Sequence, residues 1–291
     1  MTTTLERELK KSEPPQVEAG LRGQLKKSQL PYMMGDLFTP EAGNRAWWRN
    51  VDDVVIIYLT PAAAAAAWLP SEFSLPRLMG GEVVPVWLTF VRYGEGGTLA
   101  PYKEAYVTIP CLWKGHFYGY CPYICVDTDE PLVAGRELLG FPKKLATFDL
   151  DSSETRFIGA MNRHGVRVLR VEFEQQDILF SLPLPANERV ILPAPYDQIF
   201  MLPEPTGKPQ GLPLEALTTR FIPEAIRPQH MASVWKWETG TVWSGKGAVE
   251  YALSDADPVA KLPVAQVVAS VRFRGDLAWY GDQTRVLADM A

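Results

Sequence analysis

A ladder of β-branched and aromatic runs, each closed off by glycine, proline or charge, commits most of this chain to a large sheet. Val83 to Tyr93, Ala105 to Cys111, His116 to Val126, Thr155 to Asn162 and Val166 to Glu174 are apolar or alternating segments of strand length. Ile191-Leu192, Val234 to Thr241, Gly247 to Leu253 and Val267 to Tyr280 extend the series, and Arg163-His164-Gly165 reads as a hairpin tip. Helical signals are few by comparison, so the expected class is α+β, mainly β, with an antiparallel sheet large enough to curl.

The body of that fold opens with Val54-Val55-Ile56-Ile57-Tyr58-Leu59, a buried-strand pattern. Pro61 and the alanines Ala62 to Ala67 then favour a helix, which Trp68-Leu69-Pro70 ends because the residue before a proline is pushed out of the helical region. Residues 1–45 are polar and lysine-containing and read as an N-terminal arm; residues 46–291 read as a single domain. Prolines recur from Leu182 to Pro228, interleaved with Ile199, Phe200, Met201 and Leu202, which favours a long ordered connection over a disordered linker.

At 291 residues, 47% hydrophobic and 22% charged, the chain can bury a large core. A net charge of -5 gives no electrostatic reason to expect nucleic acid or an anionic membrane as partner. The N-terminus lacks the apolar core of a secretory signal and no long apolar run follows, so a cytoplasmic location is the expectation. Cys111, Cys121 and Cys125 are too few for a disulfide framework, and Cys121-Pro-Tyr-Ile-Cys125 lies in a strand-like run with no second Cys/His pair at ligand spacing. No metal site is expected. His116, His164 and His230 belong to no recognisable catalytic motif. Most of the nine tryptophans are expected in the core, with one or two bordering a pocket.

Chemistry concentrates in Gly135-Arg136-Glu137-Leu138-Leu139-Gly140-Phe141-Pro142-Lys143-Lys144. A free lysine amine is protonated at neutral pH, but burial in an apolar setting or a second cation beside it disfavours the ammonium. A lysine activated in that way forms a Schiff base with a carbonyl compound. Pro142 makes a rigid lead-in and Leu138, Leu139, Phe141 and Leu145 surround the pair with apolar surface. Arg136 and Glu137 read as an ion pair that fixes the loop. Upstream, strand alternation puts Tyr102, Glu104 and Tyr106 on one face, where Glu104 is either a pocket acid or a surface carboxylate beside rim aromatics.

The segment resembles the active-site stretch of the acetoacetate decarboxylase family, Gly-Arg-Glu followed by an aromatic and Pro-Lys-Lys-Leu. Tyr102-Lys103-Glu104 resembles the family's Tyr-X-Glu element, 39 positions before Lys143, and Trp243-Ser244-Gly245 with Leu262-Pro263-Val264 resembles its C-terminal segments. The resemblance runs over roughly residues 45 to 287. It implies a β-barrel or cone-like sheet with helices packed outside, and a homo-oligomer. It also implies Lys143 as the imine-forming lysine, Lys144 as the cation that modulates it, and Glu104 as the acid that orients the imine or shuttles protons.

Two positions depart from the family pattern. Thr89 of Trp87-Leu88-Thr89-Phe90 stands where the decarboxylases carry another acid, and Arg45 or Arg49 meets the family's N-terminal arginine only across a gap. Thr89, Tyr102 and Arg49 are therefore the remaining pocket candidates. The expected activity is a Schiff-base lyase that decarboxylates a β-keto acid, a small-molecule carbonyl substrate, without organic cofactor or metal. Two alternatives stay open: an aldolase-dehydratase acting on a 2-oxo acid such as pyruvate, and a non-catalytic barrel that binds a hydrophobic carbonyl compound.

Overall fold

The computed structural model describes residues 45–76, 81–95, 99–113, 116–182, 190–191, 200–201, 213–222 and 227–289. The N-terminal arm, and most of the proline-rich connection between 183 and 226, lie outside them. Eleven strands form one sheet. Strand β1 is Arg45–Pro61, and helix α1, Ala62–Ala66, follows it at Pro61. Strands β2 (Val83–Tyr93), β3 (Tyr102–Trp113) and β4 (His116–Val126) lie side by side next to β1, antiparallel throughout. Helix α2 (Asp129–Leu139) leads to the three-residue strand β5 (Lys143–Leu145).

Strands β6 (Thr147–Ser152), β7 (Arg156–Arg163) and β8 (Val166–Leu182) then form a meander. A separate two-stranded ribbon pairs β9 (Val190–Ile191) with β10 (Phe200–Met201). Strands β11 (Pro213–Ile222), β12 (Arg227–Tyr251) and β13 (Gln266–Asp289) complete the main sheet, whose order is β11-β4-β3-β2-β1-β13-β12-β8-β7-β6. Because β11 also pairs with β12, the seven strands from β11 round to β12 close on themselves. The expected curled, mainly antiparallel sheet is present; β4 makes two parallel pairings, with β5 and with β11.

The length of β12 explains the architecture. Its first part pairs with β11 and closes the barrel, while Gly240–Tyr251 pairs with β8 and carries the meander away. The meander folds back over β1–β3, so those strands are covered on both faces. Val84, Val86, Leu88 and Phe90 pack outward with Phe157, Val171 and Phe173, whereas Val91 and Tyr93 join Trp48, Tyr102, Ile124, Phe141 and Phe273 inside the barrel. Two-sided burial is why β2 reads as a continuous apolar run rather than an alternating one. Gly159 serves this packing, since a Cβ there would lie 2.7 Å from the ring of Phe90.

Buried charge ties the layers together. Arg272 on β13 is completely buried and grips Asp52 on β1 in bidentate fashion, at 2.8 Å for each bond. The same guanidinium donates to Ser152 Oγ and the Ser153 carbonyl, which fastens the meander to the barrel wall. The β7–β8 hairpin turns at His164 and Gly165, with φ of 50° and 78°, the left-handed pair that matches strand twist.

Candidate active site

Helix α2 stops at Gly140, whose φ of 73° is open to glycine at no steric cost. The chain then reverses through Phe141 and Pro142 and lays β5 beside β4, with Ile124 opposite Lys143 and Cys125 opposite Lys144. Arg136 holds this connection by donating from Nη1 to the Lys143 carbonyl at 3.1 Å. The arginine thus fixes the loop through the backbone; the side chain of Glu137 lies outside the described residues. Gly135 packs directly on the lysine, and a Cβ there would stand 2.4 Å from Lys143 Cε.

Lys143 points into the barrel and is only 5% exposed. Its Nζ donates to Glu104 Oε2 at 2.6 Å. The other carboxylate oxygen, Oε1, accepts from Tyr93 Oη at 3.4 Å. The rings of Tyr102 and Phe141 lie 5.8 and 5.9 Å from the amine, and Tyr102 stacks on Tyr93. Burial, with Glu104 close by, pushes the phenols of Tyr93 and Tyr102 well above their ordinary range, so both remain neutral donors.

Cross-strand register extends the site. Val55, Thr89, Tyr106, Ile124 and Lys143 form one row across β1 to β5. Thr89 is therefore on the face of the lysine, buried and in register with Tyr106. The adjacent row contains Asp53, Val91, Glu104 and Val126. Asp53 is a carboxyl that the sequence reading passed over. It is 4% exposed, and its Oδ2 accepts from Trp237 Nε1 at 3.1 Å. Burial first, then the neighbouring charges of Asp52 and Glu104, push it up to about 7 against the one stabilising N–H of Trp237.

Two expected partners are placed elsewhere. Lys144 follows Lys143 on a strand, and alternation sends it to the opposite face, where it pairs with Asp257 Oδ1 at 3.1 Å and lies 5.2 Å from the Tyr123 ring. Its charge is balanced there, not stacked beside the amine of Lys143. Arg163 Nε and Tyr123 Oη also donate to Asp257, and the cations Arg163 and Lys144 overcome burial to hold its carboxyl below the usual range. Arg49 sits where the β1 register shifts between Trp48 and Val51. That bulge turns it outward, exposed, with its guanidinium 4.8 Å from the Trp47 ring.

Among the described residues no group of three or more His, Cys, Asp or Glu side chains is arranged to hold a metal ion. Cys111, Cys121 and Cys125 are free thiols, and burial pushes each well above the ordinary thiol range. No helix among these residues is long and apolar enough to cross a membrane.

A curled sheet with a buried lysine on a Gly-Arg-Glu-led strand matches known proteins along most of its length. The acetoacetate decarboxylase family model matches residues 30–289, and the chain belongs to that family. An acetoacetate decarboxylase from Ralstonia nicotianae is 27% identical over 228 residues, covering 78% of this chain and 83% of its own. A decarboxylase from Cochliobolus heterostrophus is 26% identical and covers 89% of this chain and 95% of its own. Among solved structures, the acetoacetate decarboxylase from Legionella pneumophila superposes with a TM-score of 0.62 at 22% identity, over 84% of this chain and 87% of that one. The enduracididine biosynthesis enzyme MppR complexed with pyruvate gives 0.60 at 19% identity, over 84% and 91%. These structures share the fold.

Proposed function

We propose that the chain is a carbon–carbon lyase that decarboxylates a β-keto acid through a Schiff base on Lys143. The carrying observation is the buried amine of Lys143 held 2.6 Å from Glu104 in an otherwise aromatic and apolar setting. Passage of the ammonium proton along that hydrogen bond to Glu104 leaves a neutral amine. The amine attacks the ketone carbon and water departs, giving a protonated imine. The bond to the carboxylate then breaks, its electron pair moves into the imine, and carbon dioxide leaves an enamine. Protonation at carbon and hydrolysis release the ketone and restore the lysine. The imine is the electron sink, so the lysine itself carries the chemistry.

Thr89 supports a second reading, because it puts a hydroxyl on the lysine's face where the decarboxylases place an acid. With a 2-oxo acid such as pyruvate, the same imine would give an enamine that adds to an aldehyde and dehydrates. MppR, which shares the fold, has been solved with pyruvate and with a condensation product of pyruvate and imidazole 4-carboxaldehyde. Sodium borohydride reduction in the presence of acetoacetate or pyruvate, followed by peptide mass spectrometry, tests both. An adduct on the Lys143 peptide is expected, with carbon dioxide release from the β-keto acid under the first reading and condensation with an added aldehyde under the second. No adduct from any carbonyl compound in the folded protein would refute both, leaving a binding barrel.

A further inference from the structure

Among the described residues, Asp53 is a buried carboxyl in the barrel interior that the Lys143–Glu104 pair leaves unused. Asp53 on β1 is in register with Val91, and Val91 with Glu104, so the two acids share a row two strands apart, about 10 Å between Cα atoms. Both side chains extend into the same interior as Lys143. Both oxygens of Glu104 are engaged, one by Lys143 and the other by Tyr93. Asp53 differs. Its Oδ2 accepts from Trp237, whose indole is stacked on Phe273 at 4.6 Å, while Oδ1 has no hydrogen-bond partner among the described residues.

An unsatisfied buried carboxyl oxygen is costly unless it carries a proton or meets a ligand. Since the Trp237 N–H favours a lone pair on Oδ2, a proton on this group resides on Oδ1, the open side. The groups facing Asp53 are Glu104 and Tyr106 from β3, Tyr93 from β2 and Trp237 from β12, and Asp52 next to it on β1 acts from the opposite face of the strand. All but Trp237 raise the cost of its charge or have theirs raised by it, and with burial they place its titration at about 7. Near neutrality both forms are then populated, which is what a group that gives and regains a proton requires.

We propose that Asp53, through Oδ1, is the acid that protonates the enamine carbon in the Lys143 cycle. The inference rests on the lysine reading above. In the step, the enamine π pair forms the new C–H bond with the Asp53 proton; the O–H bond breaks and its electrons stay on the carboxylate. The nitrogen becomes the protonated imine, water hydrolyses it, and Asp53 recovers a proton from solvent. Thr89, which occupies the position of the expected acid, lies in the next row, so the carboxyl on β1 supplies from a neighbouring strand what β2 lacks.

Acetone in D₂O provides the test, because reversible imine and enamine formation exchanges its methyl hydrogens, a reaction followed by proton NMR. The unsubstituted protein should catalyse exchange with a pH midpoint near 7 and give a borohydride adduct on Lys143. Asp53→Asn should keep the adduct and lose exchange by about 100-fold or more. Undiminished exchange in Asp53→Asn would overturn the proposal, and so would loss of the adduct in that variant, which would put Asp53 in imine formation. Trp237→Phe keeps the carboxyl but removes the N–H that favours its ionised form, so its exchange midpoint should rise; an unmoved midpoint counts against the proposal. No adduct in the unsubstituted protein would instead remove the lysine reading, and this inference with it.

Discussion

Lys143 on β5 and Glu104 on β3 share a 2.6 Å hydrogen bond although β4 runs between them. Each side chain is only 6% exposed, so neither charge has water to fall back on. Removing one partner of a buried pair strands the other, at a typical cost of about 3–5 kcal/mol, whereas replacing both by neutral groups is far milder. Glu104→Gln and Lys143→Met should each lose stability on that scale in urea titrations, and the double variant should recover most of it. Lys143→Met should also abolish borohydride trapping.

Gly135→Ala should report on the Lys143–Glu104 pair without removing either partner. The added Cβ meets the Cδ and Cε of Lys143, so the lysine must swing aside and its amine leaves Glu104. Alanine inside a helix is intrinsically better than glycine by about 1 kcal/mol, which offsets only part of the cost of separating a buried pair. The thermal midpoint should therefore fall, and trapping at Lys143 should fall at least tenfold because the amine no longer points at Glu104. Equal trapping in the two proteins would refute this role for the glycine.

Asp257 takes three donors, Lys144, Arg163 and Tyr123, and its own side chain is wholly buried. Asp257→Asn leaves two cations around a neutral amide and should cost about 3 kcal/mol. Lys144→Met leaves Asp257 paired with Arg163, and Lys144 is 37% exposed, so about 1 kcal/mol or less is expected. Since Lys144 is on the far face of β5, the adduct in Lys144→Met should still form on Lys143. Chemical denaturation and peptide mapping check the two parts.

Asp52 and Asp53 are neighbours with opposite pH signatures. For Asp52, burial alone would raise the carboxyl, but Arg272 and Ser152 outweigh it and hold it below the usual 3.8; its contribution is present above that pH and is lost as pH falls through the folded value. Asp53 titrates near 7 in the folded state and near 3.8 when unfolded, so it favours folding most at low pH, and this is lost as pH rises from about 4 to 7. Asp53→Asn should therefore match the parent near pH 4 and become the more stable protein above pH 7, by at most about 4 kcal/mol. Urea midpoints measured from pH 4 to 8 give the comparison.

Much of this was legible in the chain because apolar runs and breaks record burial directly. Val83–Tyr93 and His116–Val126 have the predicted bounds, and the His164-Gly165 turn is where the hairpin signal put it. The single strand β12 reads as two segments because Gly245 and Gly247 look like punctuation. They are instead close-approach positions, where a Cβ would collide with Phe173 and Ser270. The beginning of β1 was hidden by the bulge at Arg49 and Asn50, which breaks the alternation and also carries Arg49 out of the site. Glu104 could be found by its spacing to Lys143. Asp53 could not, since two adjacent acids look like a solvated pair; only the β-branched residues Val51, Val54 and Val55 around them signal a strand with one acid facing each side.

The three residues of β5 put their two lysines on opposite faces, each met by its own acid. A slip of one residue against β4 would exchange the two amines while leaving composition, charge and sheet content the same. Such a protein would pass as native by circular dichroism or by size and still hold the wrong amine against Glu104. For this fold, the yield of trapped Lys143 per mole of chain is therefore a sharper measure of correct assembly than any spectrum of its secondary structure.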